Sequence, residues 1–195
     1  MIVQVQEKQR YTLDEYLDRE INSEERNEYV DGEIVPMTGG TPDHNTIVGN
    51  FYATLNFALK RQPYRVFVTD QRLWIAERRI YTYPDIMVVQ GKLQLQAGRK
   101  DTIVNPMMIV EVLSASTQAY DRAEKFKAYR TLPTFQEYIL IEQSEMQVEH
   151  YYKADAQKWT FVEYAGEAAT LSLNSIAVEI PLVDLYDKVD FELEQ

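Results

Sequence analysis

Asp85 and Glu111 are carboxylates in positions where the surrounding residues call for apolar side chains, and Lys125 follows them fourteen residues after Glu111. Asp85 opens the short β-branched run Ile86-Met87-Val88-Val89, and Glu111 interrupts Met107-Met108-Ile109-Val110-Glu111-Val112-Leu113, the pattern of a strand covered on both faces. An isolated carboxylate in such a strand loses roughly several kcal/mol of solvation unless it is protonated, paired or bound to a cation. Two of them on neighbouring strands, with a lysine nearby, suit metal-dependent phosphodiester hydrolysis. A cation polarises the phosphate and acidifies the attacking water, while an ammonium orients that water or balances charge. Each residue also has a plainer reading. Asp85 after Pro84 is ordinary turn chemistry, Glu111 could be a strand-end glutamate facing solvent, and Asp121 with Lys125 could be an exposed i, i+4 pair. Glu33 as a hairpin glutamate and His44 as a helix-capping histidine are weaker candidates of the same kind.

The elements that must position these groups can be read from caps, turns and periodicity. Thr12 with Glu15 has capping-box spacing, and Leu13, Tyr16, Leu17 and Ile21 recur at helical intervals. Asp31-Gly32 between Glu28-Tyr29-Val30 and Glu33-Ile34-Val35 predicts a hairpin. After the loop Thr38-Gly39-Gly40-Thr41-Pro42, Asp43 is the expected N-cap of a helix with Ile47, Val48, Phe51, Leu55, Ala58 and Leu59 on one stripe, ending near Lys60. Strands are expected at 65–69 and 73–76, then at Asp85, with residues 90–105 as a polar connection lacking an element of its own. Ser114-Ala115-Ser116-Thr117 supplies caps for a helix over 117–131 stopped by Pro133, whose face carries Arg122, Lys125, Phe126 and Tyr129. A strand at 137–141, parallel to the Glu111 strand, and a hairpin over 146–164 complete the sheet. Val178-Glu179-Ile180 and an amphipathic turn over 182–185 close the chain.

With 195 residues and 45% hydrophobic content, one domain with a full core is expected. The N-terminal stretch Met1-Ile2-Val3-Gln4-Val5 has no signal-peptide pattern, and no apolar run has membrane-spanning length, so a cytoplasmic protein with no membrane association is expected. The chain has no cysteine and only His44 and His150, which excludes thiolate zinc sites and leaves hard cations on oxygen ligands. A net charge of −11 argues against nucleic acid as a partner. Its distribution argues the other way, because residues 60–130 hold 13 basic and 7 acidic side chains, a local charge of +6.

The blocks Tyr29-Val30-Asp31-Gly32-Glu33 with His44 downstream, Tyr83-Pro84-Asp85-Ile86, Ile109-Val110-Glu111-Val112-Leu113-Ser114-Ala115-Ser116-Thr117, Tyr120-Asp121-Arg122 with Lys125 and Tyr129, and Glu137-Tyr138 together resemble the Uma-type family of restriction endonucleases, itself similar to the PD-(D/E)XK nuclease superfamily. The resemblance implies an α/β (α+β) fold in the order αβββαβ. This is a restriction-endonuclease-like mixed β-sheet flanked by helices, with N-terminal and C-terminal β-hairpin additions, its core at about 43–141 within one domain spanning 1–195. It implies Asp85 and Glu111 as ligands of Mg2+ or Mn2+; a metal-dependent endonuclease acting on DNA, as a homodimer presenting two sites to a duplex, is the expectation built on it. One departure stands out. The superfamily lysine sits two residues after the acidic residue, where this chain has Leu113, so the resemblance moves that role to Lys125; Glu33 and His44 match the family's additional N-terminal positions. A non-catalytic interaction module that keeps the nuclease fold is the competing expectation, favoured by Leu113 and by the acidic net charge.

Overall fold

The computed structural model describes residues 9–37 and 39–191; the expectations for Met1–Val5 and for Thr38 lie outside them. The chain begins with α1 (Leu13–Asn22), closed by the Thr12–Glu15 capping box, and the hairpin β1 (Asn27–Val30) and β2 (Glu33–Pro36). The turn between these strands sets Asp31 at φ 42° and Gly32 at φ 103°, the left-handed pair the sequence asks for. Helix α2 (Pro42–Ala58) starts two residues earlier than expected. Thr41, not Asp43, is its N-cap, since the Thr41 hydroxyl accepts from the His44 amide at 3.1 Å and Pro42 takes the first turn, where no backbone donor is missed.

Next come β3 (Tyr64–Val68), β4 (Arg72–Ile75), β5 (Ile80–Thr82), β6 (Ile86–Gln90), β7 (Thr102–Ile103) and β8 (Met108–Leu113). The expected strands before Asp85 do not lie in one sheet. β3 pairs with β6, whereas β4 leaves across Asp70-Gln71 to pair with β5 and β7. Strand β5 was not anticipated, and the connection over 90–105 contains β7, a short parallel partner of β4.

The helix expected over 117–131 is α3 (Gln118–Tyr120), a π-helical turn over Asp121–Lys125, and α4 (Phe126–Tyr129). Strands β9 (Glu137–Glu142), β10 (Gln147–Lys153) and β11 (Trp159–Ala165) follow, then the pair β12 (Thr170–Ser172) and β13 (Glu179–Pro181), and α5 (Leu182–Leu185).

The main sheet runs in the order β11-β10-β9-β8-β6-β3, with β8 and β9 parallel and the other pairs antiparallel. The second sheet runs β2-β1-β5-β4-β7, so the N-terminal hairpin joins a sheet of its own rather than extending the main one; the 147–165 hairpin does extend it. Alternation along β8 decides which side each residue serves. Val110 and Val112 pack with Ile47, Phe51 and Leu55 of α2, while Ile109 and Leu113 pack with Ala128, Tyr129 and Leu132 on the opposite face. Glu111 therefore points into the second layer, beneath the π-helical turn and α4.

Candidate active site

Asp85 sits where the extended Tyr83-Pro84 segment enters β6, and β6 runs antiparallel beside β8, with Ile86 opposite Val110. The Asp85 Oδ2 accepts from the Val112 amide at 2.8 Å and lies 3.2 Å from His44 Nε2, while the Asp85 amide donates to Glu111 Oε2 at 3.3 Å. Glu111 Oε1 accepts from the Tyr129 hydroxyl at 2.6 Å and from Lys125 Nζ at 3.1 Å. Lys125 is itself buried and faces two further carboxylates, Asp121 Oδ1 at 2.9 Å and Glu28 Oε1 at 3.6 Å.

Asp85, Glu111, Lys125 and His44 thus meet in one place. Asp121 and Lys125 are not a surface pair: they are 2% and 9% exposed. The expected common face of Arg122 with Lys125 is corrected. Arg122 turns the other way, to Glu149 Oε1 at 2.7 Å and to Glu142, because the wider π-helical turn rotates less per residue than the ~100° of a regular helix, so side chains three apart diverge. Glu33 shares a face of its hairpin with Glu28, standing opposite Val30, and is half-buried, but Glu28 is the acid of that hairpin that reaches Lys125.

Glu28 was not among the sequence candidates. In Glu28-Tyr29-Val30 before Asp31-Gly32 it reads as an ordinary hairpin glutamate, and only β5, itself unforeseen, buries it: Thr82 donates its hydroxyl to Glu28 across the β1–β5 ladder. Tyr129 and Asp121 lie on the same side of the helix as Lys125, a spacing visible in the sequence, although nothing there distinguished them from core and surface residues.

Four carboxylates around one ammonium give the site an excess of negative charge. Burial, reinforced by repulsion from Asp121 and Asp85, pushes the Glu111 carboxyl up to about 8 in spite of Lys125 and Tyr129. The same crowd of carboxylates, Glu111 and Glu28 foremost, holds Lys125 well above its ordinary value although burial opposes it. Burial also lowers His44, but its hydrogen bond to Asp85 and the Asp85 charge outweigh that and raise it. His44 is clamped by the preceding loop: a Cβ on Gly40 would stand 2.6 Å from its Nδ1, a nitrogen buried without a partner among the described residues.

The donors present fit a hard cation only in a limited way. Among the described residues no group of three or more histidines and acids forms a ready-made cage. Among the described residues Asp85 Oδ1 accepts no hydrogen bond and Glu111 Oε2 takes the 3.3 Å contact from the Asp85 amide, and the Asp85 side chain is 19% exposed. Asp85, with access to water, beside the buried Glu111 is a donor pair that suits Mg2+, which keeps several waters and takes substrate phosphate oxygens as further ligands.

A mixed sheet whose central antiparallel strands carry paired carboxylates, with a lysine supplied from the adjoining helix, defines a nuclease-like α/β class. Residues 13–182 match the family described as "Uma2: Putative restriction endonuclease", and the chain belongs to that family. It is 38% identical over 167 residues to one uncharacterized protein of Synechocystis sp., covering 86% of this chain and 94% of that one. A second uncharacterized Synechocystis protein is 32% identical over 180 residues, covering 91% and 92%. The crystal structure titled as a putative nuclease belonging to DUF820, from Anabaena variabilis, shares the fold, with a TM-score of 0.73 at 22% identity over 90% of this chain and 97% of that one.

Proposed function

We propose that this protein is a metal-dependent endonuclease hydrolysing DNA phosphodiester bonds, with Asp85 and Glu111 holding Mg2+ or Mn2+ and Lys125 assisting the attacking water. The observation that carries the reading is the convergence of Asp85, Glu111 and Lys125 at one buried point of a chain that belongs to an endonuclease family. When bound there, the cation would supply the positive charge a phosphate needs and lower the pKa of a water.

The rest is the work of this chain's own groups. Val112 and His44 fix Asp85 Oδ2, leaving Oδ1 as the outward donor. Tyr129 and Lys125 fix Glu111 Oε1, leaving Oε2 on the Asp85 side. Lys125 donates to Glu111 at 3.1 Å and forms ion pairs with Asp121 at 2.9 Å and with Glu28 at 3.6 Å. A water held beside Lys125 at the cation would be oriented by the ammonium. Leu113, at the usual lysine position, is buried among Tyr129 and Leu132, so the ammonium arrives from the helix instead. On this reading Glu33 and His44 are supporting residues, the working unit is a cytoplasmic homodimer on a duplex, and no helix among the described residues is long and apolar enough to cross a membrane.

The test is purified protein with supercoiled plasmid and labelled oligonucleotides in Mn2+, Mg2+ or EDTA, beside Asp85→Ala, Glu111→Gln and Lys125→Met. Cation-dependent cleavage lost in all three variants is expected. Wild-type protein that cuts no DNA and shows no melting shift with either cation would falsify the proposal.

A further inference from the structure

In the basic segment 60–130, Arg72, Arg79, Arg99, Arg122, Lys125 and Lys127 face carboxylates. Lys60, Arg61 and Arg65 do not. They form no ion pair among the described residues, and they line one groove of about 770 Å³ between the C-terminal end of α2 and β3. No carboxylate lines this groove, in a protein of net charge −11. Its wall also carries the rings of Tyr52, Tyr64 and Phe57, the last 81% exposed, together with the amides of Asn56 and Gln62. Strand β3 is the outer strand of the main sheet and pairs only with β6, so its other edge lies open along the groove.

Three cations without an ion pair among the described residues, beside the exposed ring of Phe57 and the half-buried rings of Tyr52 and Tyr64, supply the two components of a single-strand binding groove. The cations track phosphates, and the rings stack bases of any sequence. A second copy of this chain docking edge to edge through β3 would set Lys60, Arg61 and Arg65 against their own equivalents, so charge favours a polyanion over a dimer here. Helix α2 links the groove to the candidate active site: His44 lies in its first turn and Phe57 in its last, thirteen residues or ~20 Å apart at ~1.5 Å per residue. That span matches about six nucleotides at the ~3.4 Å rise of a stacked strand.

We propose that the α2–β3 groove is a binding site for single-stranded nucleic acid, holding an unpaired stretch about six nucleotides from the bond at Asp85 and Glu111. The function of that stretch as flanking substrate rests on the nuclease reading, but the binding itself does not. The test is therefore binding without chemistry: fluorescence anisotropy of a labelled 20-nucleotide oligothymidylate and of a hairpin duplex, in EDTA, from 50 to 300 mM salt.

The variants are Phe57→Ala and the triple Lys60→Ala, Arg61→Gly, Arg65→Ala. Glycine is chosen at 61 because its φ is 66°. The triple variant should lose at least tenfold in affinity at the lowest salt, with a salt slope shallower by about 2, the release expected from three phosphates on a single strand. Phe57→Ala should lose roughly 5- to 100-fold with the slope unchanged. Because these side chains are exposed, both variants should keep the wild-type melting temperature, and Arg65→Ala alone gives a milder form of the same loss.

Wild-type affinity in the triple variant overturns the groove, as does wild-type protein that binds no oligonucleotide. A silent Phe57 variant, or a preference for the duplex, overturns the single-strand assignment. Cleavage in Mn2+ separates the two proposals: binding without cleavage keeps the groove and removes the nuclease, whereas cleavage unaffected by the triple variant does the reverse.

Discussion

Replacing Glu111 with glutamine should make the protein more stable relative to wild type as pH rises. The carboxyl ordinarily titrates near 4.5 and is pushed up to about 8 in the fold by burial first, then by Asp121 and Asp85. Between those values the unfolded chain has released the proton and the folded chain retains it, so folding is penalised progressively as pH increases. The slope is about 1.4 kcal/mol per pH unit, hence ~3 kcal/mol between about pH 5.5 and 7.5. For a chain of this size that corresponds to roughly 6–12 °C in melting temperature. Glutamine keeps Oε1 as an acceptor for Tyr129 and Lys125 and removes the proton, so its curve should lack this fall. The assay is thermal melting by circular dichroism for both proteins in a matched series of buffers. Parallel melting curves across the range, or a wild type that gains on the variant as pH rises, would mean that Lys125 keeps Glu111 ionised throughout. The charge argument for the site would then fail.

The same proton links the site to a cation. Mn2+ competes for a carboxylate that must first ionise, so the melting shift it causes should grow from about pH 6 to 8 in wild type and vanish in Glu111→Gln; a shift independent of pH counts against Glu111 as a ligand. Lys125→Met removes the one ammonium facing Glu111, Asp121 and Glu28, and urea denaturation should show a loss of ~3–5 kcal/mol, partly recovered by adding Asp121→Asn. An additive double variant would mean that the pair does not interact. For His44, burial is outweighed by the Asp85 hydrogen bond and charge, so its folded pKa is raised. Its stabilisation is complete below its ordinary value of 6.5 and is lost as pH climbs through the higher folded one. His44→Gln should therefore lose stability most at acid pH, and equal losses at pH 5.5 and 8.5 would contradict the ion pair.

The parts of this site legible in the sequence are those where chemistry breaks a local pattern. Glu111 stands out because six apolar neighbours leave no ordinary reason for a carboxylate, and Asp85 because it opens a β-branched run. Glu28 was hidden for the opposite reason: a glutamate beside Asp31-Gly32 agrees with every local rule, and its burial depends on β5, a three-residue strand too short to register as a period. Glu137 was legible only as a matching block. It is a fully buried carboxylate accepting from His150 at 2.6 Å and from the Asn174 and Ser175 amides at 2.6 and 2.9 Å, and it locks β9 to β10 and to the loop before β13. The division of the strands between two sheets was likewise invisible, since Asp70-Gln71 serves equally as a hairpin turn and as the point where the chain leaves one sheet for another.

On the proposed reading the ammonium of the site comes from the helix and not from β8, and the alternation that turns Glu111 inward gives the reason. Residue 113 shares Glu111's side of β8, where a leucine completes the layer formed by Tyr129, Leu132 and Leu140. An ammonium there would have to be accommodated within that layer. Lys125 reaches the Glu111 carboxylate from above, four residues before Tyr129 in regular helical spacing, so one helix face delivers both donors to Oε1. The π-helical turn then decides what accompanies them. Its extra residue rotates the preceding chain by roughly 100° relative to a regular helix. Asp121 is thereby turned inward against Lys125, and Arg122 outward to Glu142 and Glu149. The helix that delivers the ammonium thus brings in, through its irregularity, one further carboxylate, and that carboxylate helps hold the lysine charged and Glu111 protonated.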